Sequence, residues 1–239
     1  MVITKHETLE FPMRKTLFVA SALALAIAAP LAHAHQAGDI IVRAGAVTVD
    51  PREDSGPIDH AVLGEVAGSG ATLDSSTQLG LNFAYMVTDK LGVELLAATP
   101  FSHTVGVRDM PGAYSGLNGE LADIKHLPPT LSAVYYPLGG NSAFQPYVGA
   151  GINYTVFFDE EVTGSAENKG FKGLSLDNSW GLAFQVGADY MLTDKLMLNA
   201  QVRYIDISTT GTTHLAGNKV TVDVDVDPMV YMVGLGYKF

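Results

Sequence analysis

The sequence has no cysteine. Disulfide staples and thiolate metal sites are therefore excluded. Positive charge is scarce: 14 Lys and Arg stand against 25 Asp and Glu, for a net charge of −11. A surface of that sign repels phosphate backbones, so no nucleic acid is expected as a partner. After residue 34 no apolar run approaches the roughly 20 residues that a spanning helix needs. If that part of the chain occupies a membrane, it must cross as a closed barrel, because lipid cannot satisfy open sheet edges. No spacing of nucleophile and base and no metal-ligand motif stands out either. No cofactor is expected.

What is present begins with a leader. Met13-Arg14-Lys15 precedes an apolar run from Leu17 to Ala29, then Pro30 and the small-residue site Ala32-His33-Ala34. A basic start, a short apolar core and an A-x-A site predict a secretory signal peptide cleaved after Ala34. Residues 1–12 fit no part of such a signal, so the start falls at Met1 or Met13. Residues 1–34 are thus expected to be an upstream extension plus the signal peptide. Residues 35–239 are expected to form one β-barrel domain.

The end of the chain shows the pattern that organises the rest. Tyr231, Val233, Leu235 and Tyr237 alternate with Val230, Met232, Gly234, Gly236 and Lys238. A period of two is a β-strand with two distinct faces. The same alternation recurs in seven earlier stretches: Asp39 to Val49, Ser76 to Val87, Leu91 to about Val105, Lys125 to Tyr135, Gln145 to Phe158, Asn178 to Leu192, and around Leu198 to Tyr204. Short turns at Thr88-Asp89-Lys90, Gly139-Gly140-Asn141-Ser142 and Thr193-Asp194-Lys195 alternate with long polar segments. Those segments are Pro51 to Asp74, Arg108 to Asp123, Asp159 to Leu176 and Thr209 to Asn218, and composition predicts loops there.

The sum is an all-β fold: an eight-stranded antiparallel transmembrane β-barrel with short periplasmic turns and long extracellular loops. A soluble eight-stranded barrel would turn its apolar face inward instead. It would explain neither the turn asymmetry nor the terminal Phe239, which resembles the end signature of outer-membrane barrels. Phe239 is accordingly expected to engage the barrel-assembly machinery, and outer-membrane lipids to surround the wall.

Parity then fills the interior. Arg43, Asn82, Glu94, Gln185, Asp189, Asn199, Gln201, Arg203 and Lys238 point inward. Arg43, Glu94, Asp189 and Lys238 lie near short turns or chain ends, so they are expected to form a polar floor at the periplasmic end. Higher up, Val47, Val49, Leu96, Ile205, Ile207 and Met232 point inward, and Val222, Val224 and Val226 alternate with Asp223, Asp225 and Asp227. That describes an apolar funnel whose upper wall stands in water. Leu96 and Trp180 are candidates for the constriction, Leu96 first, because strict parity turns Trp180 to the lipid. Pro128 and Pro129 each lack an N–H within the fourth strand, which predicts a bulge or a lateral opening. His60, His103, His126 and His214 are expected to be solvated loop residues.

Four longer stretches carry a resemblance: Gly92–Phe101 (GVELLAATPF), His126–Leu131 (HLPPTL), Pro146–Tyr154 (PYVGAGINY) and Leu174–Gly181 (LSLDNSWG). With Arg43-Ala44-Gly45 and the closing Gly236-Tyr237-Lys238-Phe239, they resemble the outer membrane protein W (OmpW/AlkL) family. The resemblance implies an eight-stranded barrel with an unusually apolar inside, passage of small hydrophobic molecules across the outer membrane, and no catalysis. The joint expectation is a porin-like channel that passes such solutes through the funnel and sideways into the bilayer. A surface receptor or structural barrel is the alternative. A lipid-modifying enzyme with loop residues is a weaker one.

Overall fold

The computed structural model describes residues 35–138 and 142–239. The expected signal peptide, its cleavage site and the turn residues Gly139, Gly140 and Asn141 lie outside the described residues. In chain order the strands begin with β1 (Ile40–Asp50), β2 (Asp54–Ser55), β3 (Ile58–His60), β4 (Gly64–Val66), β5 (Gly70–Leu73) and β6 (Ser76–Met86). Next come β7 (Leu91–Ala98), β8 (Phe101–Arg108), β9 (Gly119–Leu127), β10 (Thr130–Tyr135), β11 (Phe144–Val162) and β12 (Phe171–Leu176). The last are β13 (Ser179–Met191), β14 (Leu196–Ile205), β15 (Ser208–Leu215), β16 (Asn218–Asp225) and β17 (Met229–Lys238).

Eight of these close a ring. Antiparallel ladders join β1 to β6, β6 to β7, β7 to β10, β10 to β11, β11 to β13, β13 to β14, β14 to β17 and β17 back to β1. Closure removes every edge, which is what hydrocarbon demands. The outer face is an apolar belt in which Leu79, Phe83, Tyr85, Leu95, Val148, Phe184, Val233 and Leu235 are all exposed. The expected alternation therefore runs as written, with the large apolar set on the lipid side. Both Thr-Asp-Lys turns fold alike. Thr88 Oγ1 accepts from Lys90 and Leu91 N–H at 3.2 and 2.9 Å, and Thr193 Oγ1 accepts from Lys195 and Leu196 N–H at the same distances. Gly45 faces Gly234 in the β1–β17 ladder, and a Cβ on Gly45 would run into the Val233 carbonyl oxygen.

The long polar segments are not loops, and this corrects the expectation from composition. They build a second storey of strands above the ring. β5, β8, β9 and the upper half of β11 form one wall, while β12, β15, β16, β3 and β4 form another. A 3-10 turn over Gly112–Leu117 and a one-turn helix over Gly164–Asn168 complete it. Asp223 and Asp225 point outward while Val224 and Val226 are buried, so this storey faces water outside and apolar space inside.

Candidate functional site

Three layers follow one another down the axis. The lowest is ionic. Arg43 on β1 donates to both carboxylate oxygens of Asp189 on β13, at 3.0 and 2.6 Å. It also donates to Asn82 Oδ1 at 2.9 Å, to Glu94 Oε2 at 3.3 Å and to the Tyr136 hydroxyl at 2.7 Å. Arg203 on β14 meets the other Glu94 oxygen at 2.7 Å, and Gln185 donates to that same oxygen at 2.9 Å. Asn199 donates to Asp189 at 2.8 Å and to the Tyr147 hydroxyl at 3.0 Å; His35 Nε2 lies 3.0 Å from Asp189. Two guanidinium groups thus face two carboxylates, all buried, and the charges cancel inside the wall. Buried charges are tolerated only when paired in this way.

Arg43, Glu94 and Asp189 were expected together, and the structure brings them together. Lys238 lies lower on β17, with its Nζ 3.4 Å from Asp39. Tyr136, Tyr147 and His35 are additions to the expected set. The two tyrosines have inward parity, so alternation alone could have found them. Glycine makes room for them: a Cβ on Gly187 would come within 2.5 Å of the Tyr147 ring.

The middle layer is apolar and packed. Val47, Leu96, Phe101, Ile205, Met232 and their neighbours form one buried cluster. Leu96 is 4% exposed and stands two residues above Glu94 on the same face, so it marks the boundary with the ionic layer. Trp180 does not belong here. It is 71% exposed on the outer face, its ring 4.4 Å from that of Tyr154. Its expected role in the constriction is withdrawn, because inward parity on β13 belongs to Ser179 and Ala183, both buried.

The upper layer is a cavity of about 250 Å³. Ile58, Leu73, Val105, Ile124, Phe157 and Val222 are among its almost wholly apolar walls, and exposed Leu63 and Tyr114 stand at its rim.

At the level of the middle layer the wall is unzipped on one side. The β7–β10 ladder ends at Leu96 opposite Thr130, and the β8–β9 ladder starts at Phe101 opposite His126. Between those pairs lie four residues, Ala97 to Pro100, on one side and three, Leu127 to Pro129, on the other. The offset is a bulge, and Pro100, Pro128 and Pro129 supply no N–H to bridge it. Both flanking seams stay closed. Thr99 N–H donates to Leu79 O at 3.0 Å on one flank, and Tyr154 N–H donates to Pro129 O at 3.1 Å on the other. Pro128 faces inward and Pro129 outward. The third strand, expected unbroken from Leu91 to about Val105, is interrupted here at Thr99-Pro100.

Two histidines also depart from expectation. His214 is exposed and His60 half-buried, but His103 and His126 are buried inside. Their Nε2 atoms lie 2.9 Å apart just above the seam. The outward residues at this height, Ser102 and Lys125, are polar and exposed, so the pair sits above the apolar belt.

Known proteins share this architecture. A family model described as the OmpW family matches residues 36–239. Outer membrane protein W of Vibrio cholerae is 45% identical over 227 residues, covering 95% of this chain and 100% of that protein. The Escherichia coli K12 protein of that name is 44% identical over 225 residues, covering 94% and 100%. The crystal structure of the outer membrane protein OprG from Pseudomonas aeruginosa matches with a TM-score of 0.81 at 52% identity, covering 86% of this chain and 98% of that one. These are names of membrane barrels, and none names an enzyme. The chain belongs to the OmpW family and is an eight-stranded β-barrel of the bacterial outer membrane.

Proposed function

We propose that this barrel passes small apolar molecules from the outside into the outer membrane, through the upper cavity and out sideways at the seam between β7–β8 and β9–β10. The observation that carries this reading is the order of layers along the axis. An apolar cavity stands over an apolar plug, the wall is unzipped at plug height, and a charge-paired floor lies below.

Moving straight down, a solute would have to separate Arg43 from Asp189 and Arg203 from Glu94. Leaving one member of such a buried pair unmatched costs about 3–5 kcal/mol. Moving sideways at the seam, it displaces the side chains of Ala97, Ala98 and Leu127, and no proline N–H bond across the seam has to break. An apolar solute also gains nothing from a polar floor and much from an apolar cavity.

The reading is tested in proteoliposomes. The reconstituted barrel is expected to speed uptake of a labelled apolar compound, while potassium and chloride flux stays at the protein-free background. Ion conductance without apolar uptake would replace this reading with an aqueous pore.

Assembly supplies a further expectation. Phe239 is 67% exposed on the outer face, its ring 4.8 Å from Tyr237, and its N–H donates to Ile40 O at 2.9 Å. We assign the exposed ring to recognition by the assembly machinery. Deleting Phe239 should lower the yield of heat-modifiable barrel in outer-membrane fractions, whereas Phe239→Tyr should preserve it. Equal yields for all three forms would remove that role.

A further inference from the structure

The His103–His126 pair leaves one polar atom unused. His103 Nδ1 lies 2.6 Å from the carbonyl oxygen of Asp74. A carbonyl only accepts, so His103 carries its proton on Nδ1. Burial lowers the pKa of His103 below the usual range, and burial followed by the adjacent His103 lowers that of His126 to about 3. Both rings are therefore neutral near pH 7. The Nε2 of neutral His103 is then an acceptor, and His126 must donate its Nε2 proton to it across the 2.9 Å contact. This leaves Nδ1 of His126 as a bare lone pair. His126 is 5% exposed, and its Nδ1 has no hydrogen-bond partner among the described residues. The ring is held between Phe101 and Phe157, with centroids at 5.3 and 5.8 Å.

Both histidines line a small pocket of about 10 Å³, enough for one water-sized group. That pocket shares Leu73, Ile124, Phe157 and Val226 with the walls of the large cavity above. The two spaces adjoin across those side chains, so an apolar chain in the cavity brings its terminal group next to the pocket of the histidines. A buried acceptor without a donor is costly, and a ligand that supplies the donor removes that cost.

We propose that His126 Nδ1 is a recognition site for a hydroxyl group, and that the ligands favoured by this barrel are small aliphatic alcohols whose O–H donates to it. The assignment rests on the uptake reading above and narrows its substrate class. A carboxylate offers no proton and meets a lone pair, so it is disfavoured. An alkane or an ether fills the cavity equally well but leaves Nδ1 unmatched.

The test uses octanol and its isomer heptyl methyl ether, which has the same atoms without the O–H. The full chain in nanodiscs is titrated against a bound apolar fluorophore, with protein-free nanodiscs as the baseline. Octanol should displace the probe at a concentration roughly five- to tenfold lower than the ether. Imidazole ¹⁵N spectra should show one His126 nitrogen moving with octanol and not with the ether. In His126→Phe, which keeps the stacked ring, the two compounds should become equivalent through loss of the octanol advantage. Equal displacement by both compounds in the unaltered protein overturns the hydroxyl site and leaves the uptake reading standing. That comparison needs no variant to fold. An octanol advantage that survives in His126→Phe also overturns it, and failure of both compounds to displace the probe overturns the site and the uptake reading together.

Discussion

Replacing Glu94 by Ala is expected to destabilise the folded barrel by about 3–5 kcal/mol, the usual cost of removing one member of a buried ion pair. Glu94 is the carboxylate that Arg203 contacts, at 2.7 Å, and it also takes a bond from Arg43 at 3.3 Å. Arg43 would keep Asp189, but Arg203 would be a buried cation facing Gln185 alone among its present partners. The readout is the denaturant or temperature at which the compact band on unheated gels is lost. A second substitution separates charge imbalance from lost packing. In Glu94→Ala with Arg203→Met both charges are gone, so much of the lost stability should return. Uptake per folded barrel should change little in either variant, because the solute never reaches the floor. A Glu94→Ala barrel as stable as the parent would show that the network does not hold the lower end together.

The second large effect concerns the seam. Alanine at Pro100, Pro128 and Pro129 restores three N–H groups; the one at 129 faces Tyr154 on β11, as its carbonyl does, so up to two can bridge the seam. At about 1 kcal/mol net for each hydrogen bond, and more in lipid, the closed seam gains about 2 kcal/mol. If uptake passes through a transient opening there, it slows by roughly thirtyfold. Pro128 and Pro129 alone are not enough to replace, since Pro100 stands across the gap and the strands are offset by one residue. The variant should remain folded and inserted, with equal or greater resistance to heat. Unchanged uptake in that correctly folded variant would rule out the seam as the exit.

Much of this architecture is legible in the sequence, and the failures have physical causes. Alternation places the ring strands because lipid outside and packed side chains inside impose opposite demands on successive residues. It also places Arg43, Glu94 and Asp189, since charges with inward parity near short turns have only one compartment to share. The upper storey is missed because its outer face meets water rather than lipid. Thr210, Thr212, Asp223 and Asp225 make those strands polar, and the frequent Gly and Pro look like loop punctuation. Inward Val220, Val224 and Val226 carry the surviving signal. The histidine pair is missed for a different reason. His103 and His126 meet only once β8 and β9 are paired, and a register shift at Val105 and Gly106 makes that pairing hard to count in advance. Both histidines do share inward parity with buried neighbours, Phe101 and Val105 for one and Ile124 for the other.

Where a solute emerges decides the central claim. A fluorescent apolar solute can be offered outside proteoliposomes that carry brominated acyl chains in the bilayer and a separate aqueous quencher inside. The two quenching phases are then timed after mixing. Lateral exit predicts that bromine quenching rises first, at a rate set by the amount of barrel, and that internal quenching follows only at the pace seen in protein-free bilayers. Barrel-dependent internal quenching that rises first, or together with the bromine signal, would mean passage through the floor and would contradict the account.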